Sequence, residues 1–215
     1  RVLNRVCAND VDVEPGRMVY TQWLNDRGGI EADLTVTREA EDRFLVVTAA
    51  ATQVRDLAWL TAHLPADARC TVTDVTSGLS VLSVMGPRSR ELLAGLVDVD
   101  LDNEHFPFGT SRMVDIGYAR ARASRITYVG ELGYELNIPA EQAIHVYKRI
   151  LEAGKNFGLR HAVTLVQVIT PSPLLGCDLA RDKGPINFMH GPVRKLGAQL
   201  ARGADMAGAG ASSSS

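Results

Sequence analysis

The alternation of apolar and polar residues along the chain predicts a fold rich in short strands. Residues 30–37 place apolar side chains on one face and Glu31, Asp33, Thr35 and Thr37 on the other. That alternation is typical of a half-buried antiparallel strand. Residues 17–25 predict a preceding strand, and 26–29 a tight turn, because paired glycines adopt positive φ at little cost. Further strands are predicted at 43–48, 70–74, 79–85, 111–116, 119–128 and 134–138.

Apolar residues spaced three and four apart predict helices over 52–64, 89–96 and 140–157. The apolar side of the first helix is predicted to carry Val54, Leu57, Ala58 and Leu64, and its polar side Gln53, Arg55 and Asp56. Gly158 is placed to end the third helix. Because strands outnumber helices and turns are short, we expect an α+β fold of antiparallel sheets with flanking helices.

Two lobes and a tail are expected. The first lobe covers residues 1–78 and the second 79–162, with ligand lying between them. Residues 163–215 lack steady periodicity, and the chain ends in an Ala/Gly/Ser-rich stretch that closes on four serines. Such a composition buries too little apolar surface to order itself, so 163–215 is predicted to be a disordered tail.

Composition excludes several function classes. Of the 215 residues, 46% are apolar, which suffices for a sizeable core, and the formal net charge of −2 comes without a basic stripe. We therefore expect no nucleic-acid or membrane partner. Cys7, Cys70 and Cys177 are odd in number and widely spaced, which favours a reducing compartment over disulfides or zinc. Bacterial cytoplasm and mitochondrial matrix both remain open.

No metal or nucleotide motif is present in the sequence. The acidic alternations at 98–102 and 10–14 lack the glycine and the bidentate acid that a calcium loop needs at its sixth and twelfth places. The five histidines have no metal-ligand spacing, so no metal site is predicted. Hydrolase, Walker and dinucleotide-binding glycine motifs are missing.

Two segments could carry chemistry. Asp33 follows the tight turn on the polar face of its strand, where it could accept a proton or remain a solvent-facing carboxylate. The glycines in 126–135 predict a tight connection that brings Tyr128, Glu131 and Glu135 together. An aromatic ring beside a carboxylate suits a flat, amide-like heterocycle. An ordinary hairpin with a polar rim is the alternative.

Together these segments resemble the glycine cleavage T-protein (aminomethyltransferase) family. The resemblance rests on Tyr20, Asn25, Gly28-Gly29 and Asp33-Leu34, and on Tyr128-Val129-Gly130-Glu131-Leu132-Gly133-Tyr134-Glu135. Met85-Gly86-Pro87 resembles the family's Gln-Gly-Pro turn. Residues 103–108 resemble the variant fused to flavin-dependent sarcosine and dimethylglycine dehydrogenases. The similarity runs in one order from about Asn9 to Ala162 and implies a partial aminomethyltransferase folate-binding fold, truncated in its first lobe.

The resemblance also implies residue roles. Asp33 matches the family's catalytic carboxylate beside the reactive folate nitrogens. Tyr20 matches an aromatic of the pocket wall, and Tyr128 and Glu135 match residues that hold the folate, with Glu135 meeting the pterin. The implied cofactor is tetrahydrofolate, which takes a one-carbon unit from an amine-derived donor and becomes 5,10-methylenetetrahydrofolate. FAD is implied only in a separate upstream domain, absent from this chain, that could contact the module.

Departures from the family leave three interpretations open. Thr48 stands where the family has Asn, and no counterpart is found for a folate-contacting Arg after Ala162. For the residues beyond 162, we hypothesise a changed reading frame, alternative splicing or a gene-model error. For the start of the chain, we hypothesise a cut from a longer polypeptide. The chain is then a one-carbon transferase module, an inactive module resembling the regulatory subunit of pyruvate dehydrogenase phosphatase, or a non-functional fragment.

Overall fold

The first lobe is built on a three-stranded antiparallel sheet. The computed structural model describes residues 2–128, 130–163 and 196–200, with backbone alone for 162–163 and 196–200. Strands β1 (Met18–Leu24), β2 (Ile30–Ala40) and β3 (Arg43–Val47) pair in the order β1-β2-β3. Helices α1 (Leu3–Val6) and α2 (Gln53–Ala62) complete the lobe. Its core residues include Trp23, Leu34, Val36 and Leu60.

The second lobe is built on a six-stranded sheet. Its order is β5-β6-β7-β4-β9-β8, and every pair is antiparallel except β4 with β9. Helices α3 (Ser89–Ala94) and α4 (Ala143–Gly154) supply core residues to one face. The strands are β4 (Leu79–Met85), β5 (Ser111–Ile116), β6 (Ala119–Ser124), β7 (Gly133–Pro139), β8 (Leu159–Val163) and β9 (Leu196–Leu200).

This architecture confirms the α+β prediction of antiparallel sheets with flanking helices. Short 3-10 turns extend the ends of α2 and α4 at Ala50–Thr52, Ala140–Gln142 and Lys155–Phe157, and a further one at Thr76–Gly78 leads into β4. The third predicted helix is confirmed as α4 with its two flanking turns. Gly158, at a φ of 68°, ends it in the left-handed conformation that glycine adopts without steric cost. Within the described residues, no helix has the length and apolarity needed to span a bilayer.

The two lobes are joined by polar contacts at the end of β2 and the start of β1. Arg122 Nε on β6 lies 2.8 Å from Glu39 Oε1 on β2, and both side chains are mostly buried. The Met18 amide donates to the Gly109 carbonyl at 2.8 Å, next to a bridge between Arg17 and Thr110. These contacts hold the first sheet against the face of the second sheet that carries Arg122.

Two predicted strands differ in the structure. Residues 70–74 form no strand, although Val72 packs on the first core and the segment lines a cavity. The residues alternate as in a strand, but no strand among the described residues pairs with them. The strand predicted over 119–128 ends at Ser124, and just beyond it the Ile126 amide donates back to the Ser124 carbonyl at 3.0 Å, which turns the chain.

The predicted faces of α2 are wrong at two positions, although Leu57 and Leu64 do face the cavity as the apolar side. Val54 is 82% exposed, whereas Asp56, assigned to the polar side, is buried beside Leu60 on the next turn. The hydroxyls of Thr48 and Thr52 donate to Asp56 Oδ2 at 2.7 and 2.6 Å. Helix periodicity alone would place the Asp56 carboxylate in water. The two threonine hydroxyls compensate for its burial by donating hydrogen bonds to it.

Strand β9 was not predicted. It lies in the stretch 163–215, for which composition predicts disorder, yet pairing with β4 on one side and β8 on the other satisfies its backbone. The disorder of 163–215 stays a prediction. Residues 164–195 and 201–215, including Cys177, lie outside the described part of the chain.

Candidate functional site

Asp33 and Tyr20 meet on the solvent-facing side of β1 and β2. Their neighbours Ala32, Leu34 and Trp23 point into the core, so strand alternation turns Asp33 outward. Gln22, directly opposite Asp33 in the ladder, donates from Nε2 to Asp33 Oδ1 at 3.1 Å. The pKa of the Tyr20 phenol is raised because its hydroxyl donates to the Asp33 carboxylate. This exposed set, Tyr20, Gln22 and Asp33, is called the carboxylate face below.

The turn before β2 is held by the side chain of Asn25. Its Oδ1 accepts from the amides of Arg27 and Gly29 at 3.0 and 2.9 Å, and its Nδ2 donates to Glu31 Oε1 at 2.7 Å. Gly28 has a φ of 76°, which confirms the positive φ predicted for this turn. The turn therefore fixes the start of the strand that presents Asp33.

Glu135 lies at the centre of a row of polar side chains across the second sheet. On β7 it pairs with Ser83 on β4 and with Ser124 on β6, and Ser124 pairs with Ser111 on β5. Directly opposed residues share a face, so Ser83, Glu135, Ser124 and Ser111 form one line, the polar row. Its side chains are all buried, with Glu135 9% exposed. The alternate residues of β7, such as Tyr134 and Leu136, fill the core on the other face.

The members of the polar row are not equally bonded. Ser124 Oγ donates to Ser111 Oγ at 3.0 Å on one side of Glu135. On the other side, Ser83 Oγ is buried without a hydrogen-bond partner in the part of the chain that the structure describes. A buried hydroxyl in a native fold normally has a partner, so the β4 side of Glu135 holds an unusual, unsatisfied hydrogen-bond donor.

The loop that carries Tyr128 folds closely over the start of β7. A Cβ on Gly133 would lie 3.1 Å from the Ile126 carbonyl oxygen and 3.0 Å from Met85 Cγ, so only glycine lets the loop pass this close. Gly133 is two residues before Glu135 and shares its face. Tyr128, 61% exposed, therefore sits on a loop anchored one rung from the polar row.

The predicted site residues thus form two groups. The structure brings Tyr20 and Asp33 together on the first lobe, and it places Glu135 and the Tyr128 loop on the second. Gln22 and Ser83 were missed. Gln22 is two residues from Tyr20, so strand alternation could have found it, whereas Ser83 sits in an apolar run that gives no such signal.

A cavity of about 840 Å³ lies between the lobes, but none of the four predicted residues lines it. Its walls come mainly from β3, α2 and the segment 70–76, with Val81 and Asn137 from the second lobe. Its buried carboxylate, Asp56, is already bonded to Thr48, Thr52 and Arg55. We assign the candidate site to the carboxylate face and the polar row, because these two groups hold the predicted residues Asp33 and Glu135, whereas the carboxylate of the cavity is already engaged.

Asp100, Asp102 and His105 form a small surface cluster whose ligand atoms lie within 4.8 Å of one another. Asp102 Oδ1 accepts from the His105 amide at 2.6 Å and contacts the His105 ring at 2.9 Å. The hydrogen bond from the His105 backbone amide holds the pKa of the Asp102 carboxyl below its usual value. These bonds give the cluster a structural role in closing the 100–105 turn.

Comparison with known proteins adds a family match. Residues 1–169 match the family described as the GCVT N-terminal domain. The chain is 44% identical over 153 residues to the 4-methylaminobutanoate oxidase (formaldehyde-forming) of Paenarthrobacter nicotinovorans and 38% identical over 167 residues to the sarcosine dehydrogenase of Mus musculus. Each match covers 71% of this chain, and the chain spans 18% of each of these relatives.

Similarity extends to free-standing relatives and to a solved structure. The aminomethyltransferase of Bacillus subtilis is 33% identical over 189 residues, which cover 86% of this chain and 51% of that protein. This alignment includes part of the segment after Ala162, for which a changed reading frame remains a hypothesis. A crystal structure of aminomethyltransferase T from Bartonella henselae matches with a TM-score of 0.56 at 27% identity, covering 70% of this chain and 39% of that one.

Proposed function

Because the chain belongs to the GCVT N-terminal domain family, we propose that it binds tetrahydrofolate and transfers a one-carbon unit to it. The donor is an amine-derived iminium ion or aminomethyl group, and the product is 5,10-methylenetetrahydrofolate. The observation that carries the proposal is Glu135, a carboxylate buried in the middle of a sheet, within a polar row and beside an aromatic loop.

Glu135 and Tyr128 suit the recognition of a pterin ring. A carboxylate accepts two parallel N–H donors, and a pterin offers such a pair along its amide-like edge. The exposed ring of Tyr128 can pack on the flat face of the heterocycle. The loop that carries Tyr128 passes closely over Gly133, two residues before Glu135, and a loop anchored there before ligand arrives lowers the ordering cost of binding.

Asp33 suits the chemical step. One folate nitrogen attacks the iminium carbon, the second closes the methylene bridge, and the donor amine leaves with the two protons that the folate nitrogens give up. Asp33 relays one of these protons and stabilises the cationic intermediate. Gln22 donates to the carboxylate at 3.1 Å and orients it. The main contribution of the protein is proximity, since a folate amine is already nucleophilic.

The donor is supplied by oxidation of an amine. We assign that step to a flavin dehydrogenase domain, with FAD, that contacts the module, since relatives of this chain include a sarcosine dehydrogenase. A second candidate is a binding module without turnover. It is favoured by 35% identity over 161 residues to the mitochondrial regulatory subunit of pyruvate dehydrogenase phosphatase from Mus musculus, and by Thr48 at the family's Asn position.

The test is calorimetric titration of the full chain with tetrahydrofolate. Glu135→Gln is expected to weaken binding roughly 10- to 100-fold, the range for a lost hydrogen bond to a charged group. Asp33→Asn is expected to bind within about threefold of wild type but to slow methylene transfer from formaldehyde by about 10²–10⁴, the range for a lost acid–base group. Glu141→Gln, an exposed carboxylate before α4, is the matched control.

Three outcomes separate the candidates. Folate binding without any transfer above the uncatalysed rate supports the module without turnover. Equal affinity of wild type and Glu135→Gln removes the pterin assignment. A folded wild-type chain that does not bind tetrahydrofolate contradicts the proposed function as a whole.

A further inference from the structure

We propose that Ser83 is a ligand-binding residue of the same site, whose hydroxyl bonds the pterin edge next to Glu135. The inference rests on the proposed function and adds a residue that the family resemblance did not point to. Its basis is the geometry of β4 and β7, in which Ser83 and Glu135 are directly opposed. Opposed side chains have Cβ atoms about 4.5–5.5 Å apart, so one small heterocycle can contact both.

The hydroxyl of Ser83 is the one member of the polar row that lacks a partner among the described residues. The side chain is 2% exposed, and its Oγ makes no hydrogen bond there. The serines on the opposite side of Glu135 bond each other at 3.0 Å. The row is therefore asymmetric: its β5–β6 half is closed by its own hydrogen bonds, and its β4 half holds a buried donor that is costly unless something accepts from it.

The position next to Ser83 on β9 is a glycine. Across β4 from Glu135, the residue paired with Ser83 is Gly197, which carries no side chain. The place beside Gly133, on the other side, is filled by Met85 and the Ile126 carbonyl. A glycine beside Ser83 on the same sheet face favours a flat ligand that lies close to the backbone there.

Donor and acceptor chemistry also fits. A carboxylate only accepts hydrogen bonds, whereas a hydroxyl donates one and accepts two. Glu135 alone can therefore hold the N–H groups of a pterin but cannot satisfy its ring carbonyl. A Ser83 hydroxyl on the same rung supplies the donor for that carbonyl, and the pair together matches the alternating N–H and C=O groups of an amide-like edge.

Removal of the Ser83 hydroxyl is therefore expected to weaken ligand binding without lowering the stability of the free protein. Ser83→Ala removes a buried hydroxyl that has no partner in the free protein, so the Tm of the free chain is expected to stay the same or rise. The same variant is expected to weaken tetrahydrofolate binding roughly 2- to 10-fold, the range for one neutral hydrogen bond. A serine with a purely structural role would lower the Tm and leave affinity unchanged.

The experiment measures the Tm and the tetrahydrofolate Kd of the full-length wild type, Ser83→Ala and two control variants. Ser80→Ala changes a serine of the same strand on the opposite face and is expected to leave the Kd unchanged. Ser124→Ala removes a hydroxyl that is hydrogen-bonded and is expected to lower the Tm. Weaker binding by Ser83→Ala with an undiminished Tm supports the inference.

Contradicting outcomes are distinguishable. A Ser83→Ala protein that binds as tightly as wild type, while Glu135→Gln binds weakly, overturns the role of Ser83 and leaves the proposed function standing. A Ser83→Ala protein whose Tm falls as in Ser124→Ala, with unchanged Kd, also overturns it. Absence of folate binding by folded wild type removes the proposed function and this inference together.

Discussion

The two lobes hold their key carboxylates in opposite environments. Asp33 stands on the outer face of a three-stranded sheet, where Gln22 and Tyr20 contact it from the neighbouring strand. Glu135 stands in the interior of a six-stranded sheet, 9% exposed and flanked by serines. An exposed carboxylate can exchange protons with a reacting group, whereas a buried one binds ligand donors strongly. Under the proposed function, this division assigns recognition to the second lobe and reaction to the first.

The lobes also differ in packing. The core of the second lobe lies between its sheet and helices α3 and α4, and many of its side chains are fully buried. The core of the first lobe is smaller, and several of its α2 and β3 residues border the cavity of about 840 Å³. A rigid second lobe can fix Glu135 precisely enough for recognition, while the first lobe has looser support.

The largest expected effect separates the two cores. Leu93→Ala on α3 removes a 1% exposed side chain from the packed core and is expected to lower the free energy of unfolding by about 3–5 kcal/mol. Leu60→Ala on α2 removes the same atoms beside an existing cavity and is expected to cost only about 2–3 kcal/mol, because less close packing is lost there. Urea denaturation followed by circular dichroism measures both. Equal losses would mean that the first lobe is packed as tightly as the second.

A glycine pair tests how rigidly the second lobe holds its loop. Gly133→Ala places a Cβ against Met85 and the Ile126 carbonyl and is expected to cost about 1–3 kcal/mol through overpacking. Gly130→Ala in the same loop meets nothing within 4 Å, but its φ of 80° adds about 1 kcal/mol of backbone strain. Chemical denaturation of both variants gives the comparison. A harmless Gly133→Ala would show that the loop can move off β7, and that Tyr128 is not prepositioned.

Sequence reasoning succeeded where one physical signal dominated. Alternation in β2 correctly put Leu34 and Val36 inside and Asp33 outside, and the 3.6-residue spacing of apolar residues correctly predicted the helix around α4. Paired glycines located the turn before β2. In these elements a single core contact surface decides which residues are buried, and local pattern reports that surface directly.

The predictions were wrong where burial or strand formation depends on residues that are distant in the sequence. Asp56 is buried because Thr48, eight residues earlier, donates to it, and helix periodicity holds no record of that donor. Residues 70–74 alternate like a strand, but strand formation depends on a partner that sequence does not supply. The polar row depends on the register of four strands, so Ser83 becomes visible only when β4 is aligned with β7.

An ion pair between the lobes gives a smaller effect. Glu39 and Arg122 are mostly buried at 2.8 Å, so Glu39→Gln leaves Arg122 without its counter-ion and is expected to cost about 1–3 kcal/mol. The exposed pair of Arg88 and Glu91 on α3 is the control, and Glu91→Gln is expected to cost less than about 1 kcal/mol. Thermal unfolding at low and high salt measures both. A loss for Glu39→Gln no larger than for Glu91→Gln would indicate that the lobes are held by other contacts.

The smallest effect concerns the pH response of the carboxylate face. The pKa of Tyr20 is raised because its hydroxyl donates to Asp33. A raised pKa in the folded state means that this bond stabilises the fold fully below the unfolded pKa of about 10, and that the contribution is lost as pH rises through the folded value. Asp33→Asn removes the charge, so the Tyr20 phenol is expected to ionise at lower pH than in wild type.

The measurement is the ultraviolet absorbance of phenolate during alkaline titration, with Tyr20→Phe forms of both proteins subtracted to isolate Tyr20. A titration midpoint that falls in Asp33→Asn places the Tyr20 hydroxyl on the Asp33 carboxylate in solution. An unchanged midpoint would mean that the two side chains point apart in solution. The contrast between the lobes would then sharpen, since Asp33 would be oriented by Gln22 alone while Glu135 stays enclosed by its sheet.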